Sequence, residues 1–214
     1  MAIGINSGLN FIFGPRIEIM PNLYIIAGCN GAGKTTASFT VLPEMLNCNI
    51  FINADEIARG LSPLNPELSS IEAGRLMLKK INDYVPLQKD FAFETTLSSR
   101  TFRNTILKSI KSGYETTLIF FWLNSVELAY ERVENRVFEG GHHVPKHVIA
   151  RRYYAGIRNL FNIYIPISDY WMIFDNSKKM SSELIAEGMK TKRCNIKNIT
   201  KFDRLKSLIN EDEK

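Results

Sequence analysis

Eight residues, Gly28-Cys29-Asn30-Gly31-Ala32-Gly33-Lys34-Thr35, set two glycines, a lysine and a hydroxyl at the spacing GxxxxGK[ST]. That spacing suits the phosphates of a nucleotide. Glycines let backbone N–H groups turn inward, and a helix starting at the lysine adds its positive end. Lys34 is expected to bridge the β- and γ-phosphates, and Thr35 to place its hydroxyl on Mg²⁺. Gly28, Asn30, Gly31, Ala32, Gly33 and Thr36 complete the expected cradle. ATP, ahead of GTP, and Mg²⁺ are the ligands this implies.

Two carboxylates follow short apolar runs. Asp55 comes two residues after Asn49–Asn53, and Glu94 directly follows Phe91–Phe93. Phosphorylating a hydroxyl needs a carboxylate near the γ-phosphate, and a second acidic group can hold the magnesium shell. Asp55 fits the first task; Glu94 fits the second, or a contact to the acceptor. Asp55 reads also as a helix N-cap for Glu56–Arg59, and Glu94 as the partner of a buried basic group. No run of four apolar residues ends in Asp before a second acidic base, and the ABC signature is missing. Both facts shift weight from motor to kinase.

Arg132 and Arg136 share one face of a helix at i,i+4 spacing. Gly140-Gly141-His142-His143 breaks it, Pro145 restarts it, and Arg151, Arg152 and Arg158 follow. Two arginine-bearing helices around a Gly-Gly hinge read as a lid closing on phosphates, where arginines stabilise the charge of a transferring phosphoryl group. A solvated charged face, with Glu127, Glu131, Glu134 and Glu139 as partners, is the plainer alternative. His142 and His143 read as loop residues, not metal ligands. Arg59–Pro66, stiffened by two prolines near Asp55, is placed to shape an acceptor pocket, and reads equally as a plain connection. Cys29, near Lys34 and a helix start, is expected to have a lowered thiol pKa, so that alkylation would block nucleotide binding.

These residues need elements to hold them. Leu23–Ala27, Asn49–Asn53, Phe91–Phe93, Thr117–Leu123 and Trp171–Phe174 are apolar throughout, as in strands of a parallel sheet buried on both faces. Helical stretches alternate with them: Lys34 to about Met45, Pro66–Tyr84, Thr101–Ser112, Ser125 to about Glu139, and Pro145 to about Asn159. Such alternation predicts an α/β fold of the P-loop NTPase type: three layers, a mainly parallel sheet of five strands or so, and a helical lid. Residues 1–19 read as an N-terminal extension, 20–185 as the kinase domain and 186–214 as a basic C-terminal helix or tail. Phe202, Leu205, Leu208 and Ile209 mark the docked face of that last helix.

Length and composition agree. The 214 residues can bury a core without disulfides, and 27 basic against 22 acidic residues leave a net charge of +5. That permits a polyanionic partner without demanding nucleic acid. Cys29, Cys48 and Cys194 fit no zinc template, and their odd number argues against a disulfide framework, so a cytoplasmic location is expected. No apolar run is long enough for a membrane span, and the first residues lack the features of a signal peptide.

Taken together, MPNLYIIAGCNGAGKTT, FINADEIARGLSPLNPE, AGRLM, FAFETTLSSR, GYETTLIFFWL, ERVENRVFEGGHHVP and RRYYAGIRNLF resemble the bacterial zeta-toxin-like P-loop kinases. The likeness is nearest to a short subgroup often labelled ABC-type ATPases, and it runs from about Met20 to Ser177. It implies Lys34 and Thr35 on ATP and magnesium, Asp55 as base for the acceptor hydroxyl, and Glu94 in the acceptor or metal region. A charge-stabilising pair near Arg136 and Arg152 is implied too, with Arg132 and Arg151 as the competing choices. The acceptor it implies is a UDP-amino sugar such as UDP-N-acetylglucosamine, and the setting a toxin with an antitoxin partner. Cys29 departs from the proline common in the subgroup, and the chain is shorter than the long zeta toxins. A P-loop ATPase or switch acting on a macromolecule or nucleic acid is the alternative.

Overall fold

The computed structural model describes residues 20–141, 143–178, 181–190 and 193–211. The expected extension at 1–19 and His142 lie outside the described residues. Five strands are parallel: β1 (Asn22–Gly28), β2 (Phe51–Ile52), β3 (Phe91–Thr95), β4 (Glu115–Trp122) and β5 (Tyr170–Lys178). Their burial explains their composition. All of β1 is buried, as is β4 beyond Glu115, so neither strand alternates polar with apolar residues.

The strand order is β2-β3-β1-β4-β5-β6-β7. β1 sits between β3 and β4, with β2 beyond one and β5 beyond the other. The connections therefore leave β1 in opposite directions, which opens a crevice at its carboxyl end. Helices α1 (Lys34–Met45), α2 (Ala54–Leu61), α3 (Ser70–Tyr84), α4 (Thr101–Lys111), α5 (Val126–Phe138) and α6 (Lys146–Asn159) join the parallel strands. α3 begins after a 3₁₀ turn over Pro66–Ser69, later than the expected start at Pro66. Ser125 caps α5, accepting from Leu128 N at 3.2 Å. α6 runs into a π turn (Leu160–Tyr164) and a short helix α7 (Ile165–Ile167).

The sheet has seven strands rather than about five. β6 (Ser181–Met189) and β7 (Arg193–Ile196) extend it antiparallel, followed by α8 (Ile199–Ser207). β6 runs through position 186, so the residues expected to form a tail begin inside the sheet. Only Ile185 and Ala186 of β6 are buried, and a half-solvated strand lacks the apolar run that marks β1 and β4.

α8 docks through buried Phe202 and Leu205, as expected, and through an ion pair. Lys201 Nζ donates to Asp175 Oδ2 at 2.5 Å and to Glu183 Oε2 at 2.7 Å. Asp175 is 5% exposed and also accepts from Ser177 N at 2.9 Å and from the Ser177 hydroxyl. Burial alone would raise the Asp175 pKa, but Lys201 and Ser177 outweigh it and hold the carboxyl below its ordinary value. A depressed carboxylate stabilises the fold above its unfolded value, and that support fades as pH falls through the folded value. Lys201→Ala is therefore expected to cost about 2 kcal/mol at pH 7, or about 4–8 °C in Tm. The gap to the parent should begin to narrow as pH falls below the ordinary carboxylate value of about 4 and go on narrowing as pH falls through the depressed value of Asp175. Thermal melts of both proteins at pH 7 and pH 3.5 check this, and an equal gap at both values would contradict it.

Candidate active site

Steric limits shape the loop after β1. Gly28 has φ +144, and a Cβ there would stand 2.3 Å from the Phe121 carbonyl oxygen of β4. Gly33, at φ +80, directly precedes α1, and its Cβ would stand 2.6 Å from Asn176 Nδ2. No side chain caps α1, so its first amides are left for an external acceptor. Asn176 Nδ2 donates to Ala32 O at 2.7 Å. Arg132 Nη2 donates to Ser177 O at 2.9 Å, and its Nη1 reaches Gly31 O at 3.5 Å. The loop is thus braced from β5 and α5.

Glu94, at the carboxyl end of β3, gathers the polar groups at the loop's mouth. Its Oε2 accepts from Thr35 Oγ1 at 2.7 Å and from Asn53 Nδ2 at 2.9 Å. Its Oε1 lies 3.4 Å from Lys34 Nζ, with the two side chains 10% and 7% exposed. Lys34 Nζ also donates to Cys29 O at 2.9 Å. Both sequence readings of Glu94 meet here: it partners a buried lysine and touches the hydroxyl expected at the metal. The Thr35 hydroxyl and Glu94 carboxylate are hard oxygen donors of the kind Mg²⁺ takes, so the residues present fit that ion.

Asp55 does not cap α2. The cap is Asn53, whose Oδ1 accepts from Asp55 N at 2.7 Å and Glu56 N at 3.4 Å. Asp55 stands exposed in the first turn, on the wall of an open cleft of about 400 Å³. Asn30, Lys34, Glu94 and Arg152 line the same cleft, so five residues singled out in the sequence meet there. Arg152 Nη1 donates to Asn30 Oδ1 at 3.2 Å. Burial presses the Arg152 guanidinium below its ordinary value, while Asp55 pulls it back up and the neighbouring Arg151 adds to the lowering.

Arg136 is placed differently. Its Cγ would meet a Cβ on Gly141 at 2.6 Å, and Gly141 N donates to its carbonyl at 2.8 Å. It does not line the cleft, and Arg132 is the α5 arginine at the loop. Arg151 is exposed. α6 is tied to the segment after β4 and to the loop after β3. Tyr153 Oη donates to Leu123 O at 2.7 Å, and Asn159 Nδ2 to Leu97 O at 2.7 Å. Gly156 packs so closely on Thr96 that a Cβ would lie 2.6 Å from its carbonyl oxygen. These contacts hold the loop after β3 in place, with Leu97 fully buried at φ +55. The Arg59–Pro66 segment does not line the cleft; α3 does, through Ile71, Gly74, Arg75, Met77 and Leu78.

Asn53 and Asn176 were not singled out by sequence. An asparagine ending a strand just before an acidic helix turn is a legible cap signal for Asn53. Asn176 acts on a loop 144 positions away, and nothing local marks that.

A family model described as Zeta toxin matches residues 15–180. An uncharacterised protein of Haemophilus influenzae is 30% identical over 140 residues, covering 64% of this chain and 97% of that protein. Among solved structures, a crystal structure of AvrRxo1-ORF1:-ORF2 with ATP superposes with a TM-score of 0.72 at 16% identity. It covers 91% of this chain, which spans only 66% of that one. A structure from the PezAT chromosomal toxin-antitoxin system of Streptococcus pneumoniae gives a TM-score of 0.61 at 16% identity, covering 92% and 91%.

The thiol expectation is overturned. Cys29 is 5% exposed, and burial pushes its pKa up to about 11 despite Lys34. Desolvation of the thiolate outweighs the nearby cation. Cys48 is buried and raised likewise, whereas Cys194 is exposed. Iodoacetamide at pH 7.5 is expected to label Cys194 first, with Cys29 and Cys48 at least about tenfold slower. Peptide mass spectrometry over a time course checks this order, and early labelling of Cys29 would contradict it.

Proposed function

The chain belongs to the Zeta toxin family, and from that premise we propose that it is an ATP-dependent kinase acting on the hydroxyl of a small molecule. One observation carries the reading: Asp55 faces the same cleft as the Lys34–Thr35–Glu94 cluster and stands exposed there. A carboxylate open to the cleft beside a phosphate loop can take the proton of a hydroxyl. As the acceptor oxygen bonds to the γ-phosphorus, the bond from that phosphorus to the β,γ-bridging oxygen breaks and ADP leaves. The proton passes to Asp55. Lys34 and Arg152 would offset charge on the phosphoryl oxygens, and Arg132 would hold the loop that Lys34 springs from. Thr35 and Glu94 would hold Mg²⁺, whose contribution when bound is to neutralise phosphate charge.

The acceptor we propose is a UDP-amino sugar such as UDP-N-acetylglucosamine, in keeping with the zeta-toxin resemblance. A toxin role, an antitoxin partner and a cytoplasmic location belong to the same proposal. No helix among the described residues is long and apolar enough to cross a membrane. Among the described residues of the basic C-terminal stretch, three lysines are engaged in ion pairs within the fold, which weighs against a nucleic-acid partner. Lys201 pairs with Asp175 and Glu183, Lys197 with Glu187 and Lys190 with Asp169.

Phosphorus NMR with Mg-ATP and UDP-N-acetylglucosamine, beside an ATP-only control, tests the reading. A new phosphomonoester is expected. Asp55→Ala should lower kcat by about 10²–10⁴-fold and leave ATP affinity within about threefold. ADP formed equally fast without the sugar would overturn the kinase reading in favour of an ATPase.

A further inference from the structure

The last turns of α6 and the π turn meet the loop after β3 at three carbonyl oxygens. Gly156 packs on Thr96 O, where a Cβ would stand at 2.6 Å. Asn159 Nδ2 donates to Leu97 O at 2.7 Å, and Tyr164 Oη to Ser99 O at 2.6 Å. Thr95, Thr96 and Ser99 line the cleft directly after Glu94, whereas Asn159 and Tyr164 do not line it.

Two features of this contact are independent of each other. The first is the π turn itself, in which Ile165 N donates to Leu160 O, five residues back. In a continuous α-helix the face of Gly156 and Asn159 would go on to Ile163, at i+7 and i+4. Tyr164 would then point about 140° away from Asn159. The wider turn takes up one residue, so Tyr164 continues the face and reaches Ser99. Burial pushes the Tyr164 phenol up to about 12, which keeps its hydroxyl a donor.

The second feature is the loop. Leu97 is fully buried at φ +55, a left-handed backbone that a leucine keeps only where its surroundings over-determine it. The loop's own hydroxyls bond locally, Thr96 Oγ1 with Ser98 Oγ at 2.9 Å and Ser99 Oγ with Thr101 Oγ1 at 2.8 Å. The bonds from Asn159 and Tyr164 tie its backbone to the rest of the fold.

We propose that the π turn is a clamp: Asn159 and Tyr164 are positioning residues that hold the loop after β3 in the shape phosphoryl transfer uses, touching neither nucleotide nor acceptor. A cleft wall displaced by about 1 Å can cost about 10²-fold in rate. This clamp deepens the kinase reading and rests on it.

Tyr164→Phe removes one hydroxyl and keeps the ring. Tyr114→Phe is the control, because Tyr114 is equally buried and donates to the Tyr84 and Lys89 carbonyls, before β3. ADP release from Mg-ATP is followed with and without UDP-N-acetylglucosamine. Tyr164→Phe is expected to lower kcat about tenfold or more, with KM for ATP and affinity for its β,γ-imido analogue within about twofold of the parent. Tyr114→Phe should lower Tm comparably and leave kcat within about twofold. Asn159→Ala should also lower kcat, and the double variant should be at most about threefold slower than the slower single, since both side chains hold one loop. Hydrogen-exchange mass spectrometry should show residues 95–102 exchanging about three- to tenfold faster in Tyr164→Phe and unchanged in Tyr114→Phe.

A parent-like kcat in Tyr164→Phe, unchanged exchange over 95–102, an equal kcat loss in Tyr114→Phe, or single losses that multiply in the double variant each overturn the clamp. The kinase reading fails separately. ADP formed equally fast without the sugar sinks that reading alone, and the same loss of kcat on water still supports the clamp. A parent that releases no ADP overturns both.

Discussion

Glu94 receives the Thr35 hydroxyl and the Asn53 amide on one oxygen and faces Lys34 with the other. Through this one carboxylate, β3 ties the phosphate loop after β1 to the end of β2. The arrangement depends on mutual satisfaction. Two nearly buried opposite charges cost several kcal/mol each to desolvate, and only their pairing and added hydrogen bonds offset this. Removing either partner would leave the other charged and stranded. Asn53 couples the cluster to the next element: its Nδ2 serves Glu94 while its Oδ1 caps α2 and thereby sets where Asp55 stands.

A second brace reaches the loop from the far side of β1. Asn176 and Ser177, beside Asp175 in β5, contact the loop through Ala32 O and through Arg132. Asp175 in turn is held by Lys201 of α8. The C-terminal helix is therefore part of the mechanical support of the phosphate site, although it lies far from it in the chain. Stability and site geometry share one network here.

Much of this was legible in the sequence, for definite reasons. The phosphate loop is a local signal, because its chemistry lies within eight consecutive residues. The apolar runs of β1 and β4 reflect burial on both faces. Asp55 and Glu94 were found because parallel strands bring their carboxyl ends, and the residues just past them, to one side of the sheet. The parts missed depend on long-range contacts or partial burial. β6 and β7 carry no apolar run, the bracing by Asn176 comes from β5, two strands over from β1, and the choice between Arg132 and Arg136 was left open because it turns on how α5 faces Gly31. Cys29 was misjudged because proximity to Lys34 is readable in sequence, while full desolvation is not.

The two outer strands carry a consequence for association. At one edge of the sheet β2 has two residues, and at the other β7 has four. Edges this short expose too few free amides and carbonyls to template an added strand, which is how sheets avoid pairing with one another. A protein partner would find little purchase in strand addition. Recognition by another chain would fall away from the sheet edges, for instance where Leu64 of the turn after α2, Leu68 of the 3₁₀ turn and Ile71 of α3 stand exposed.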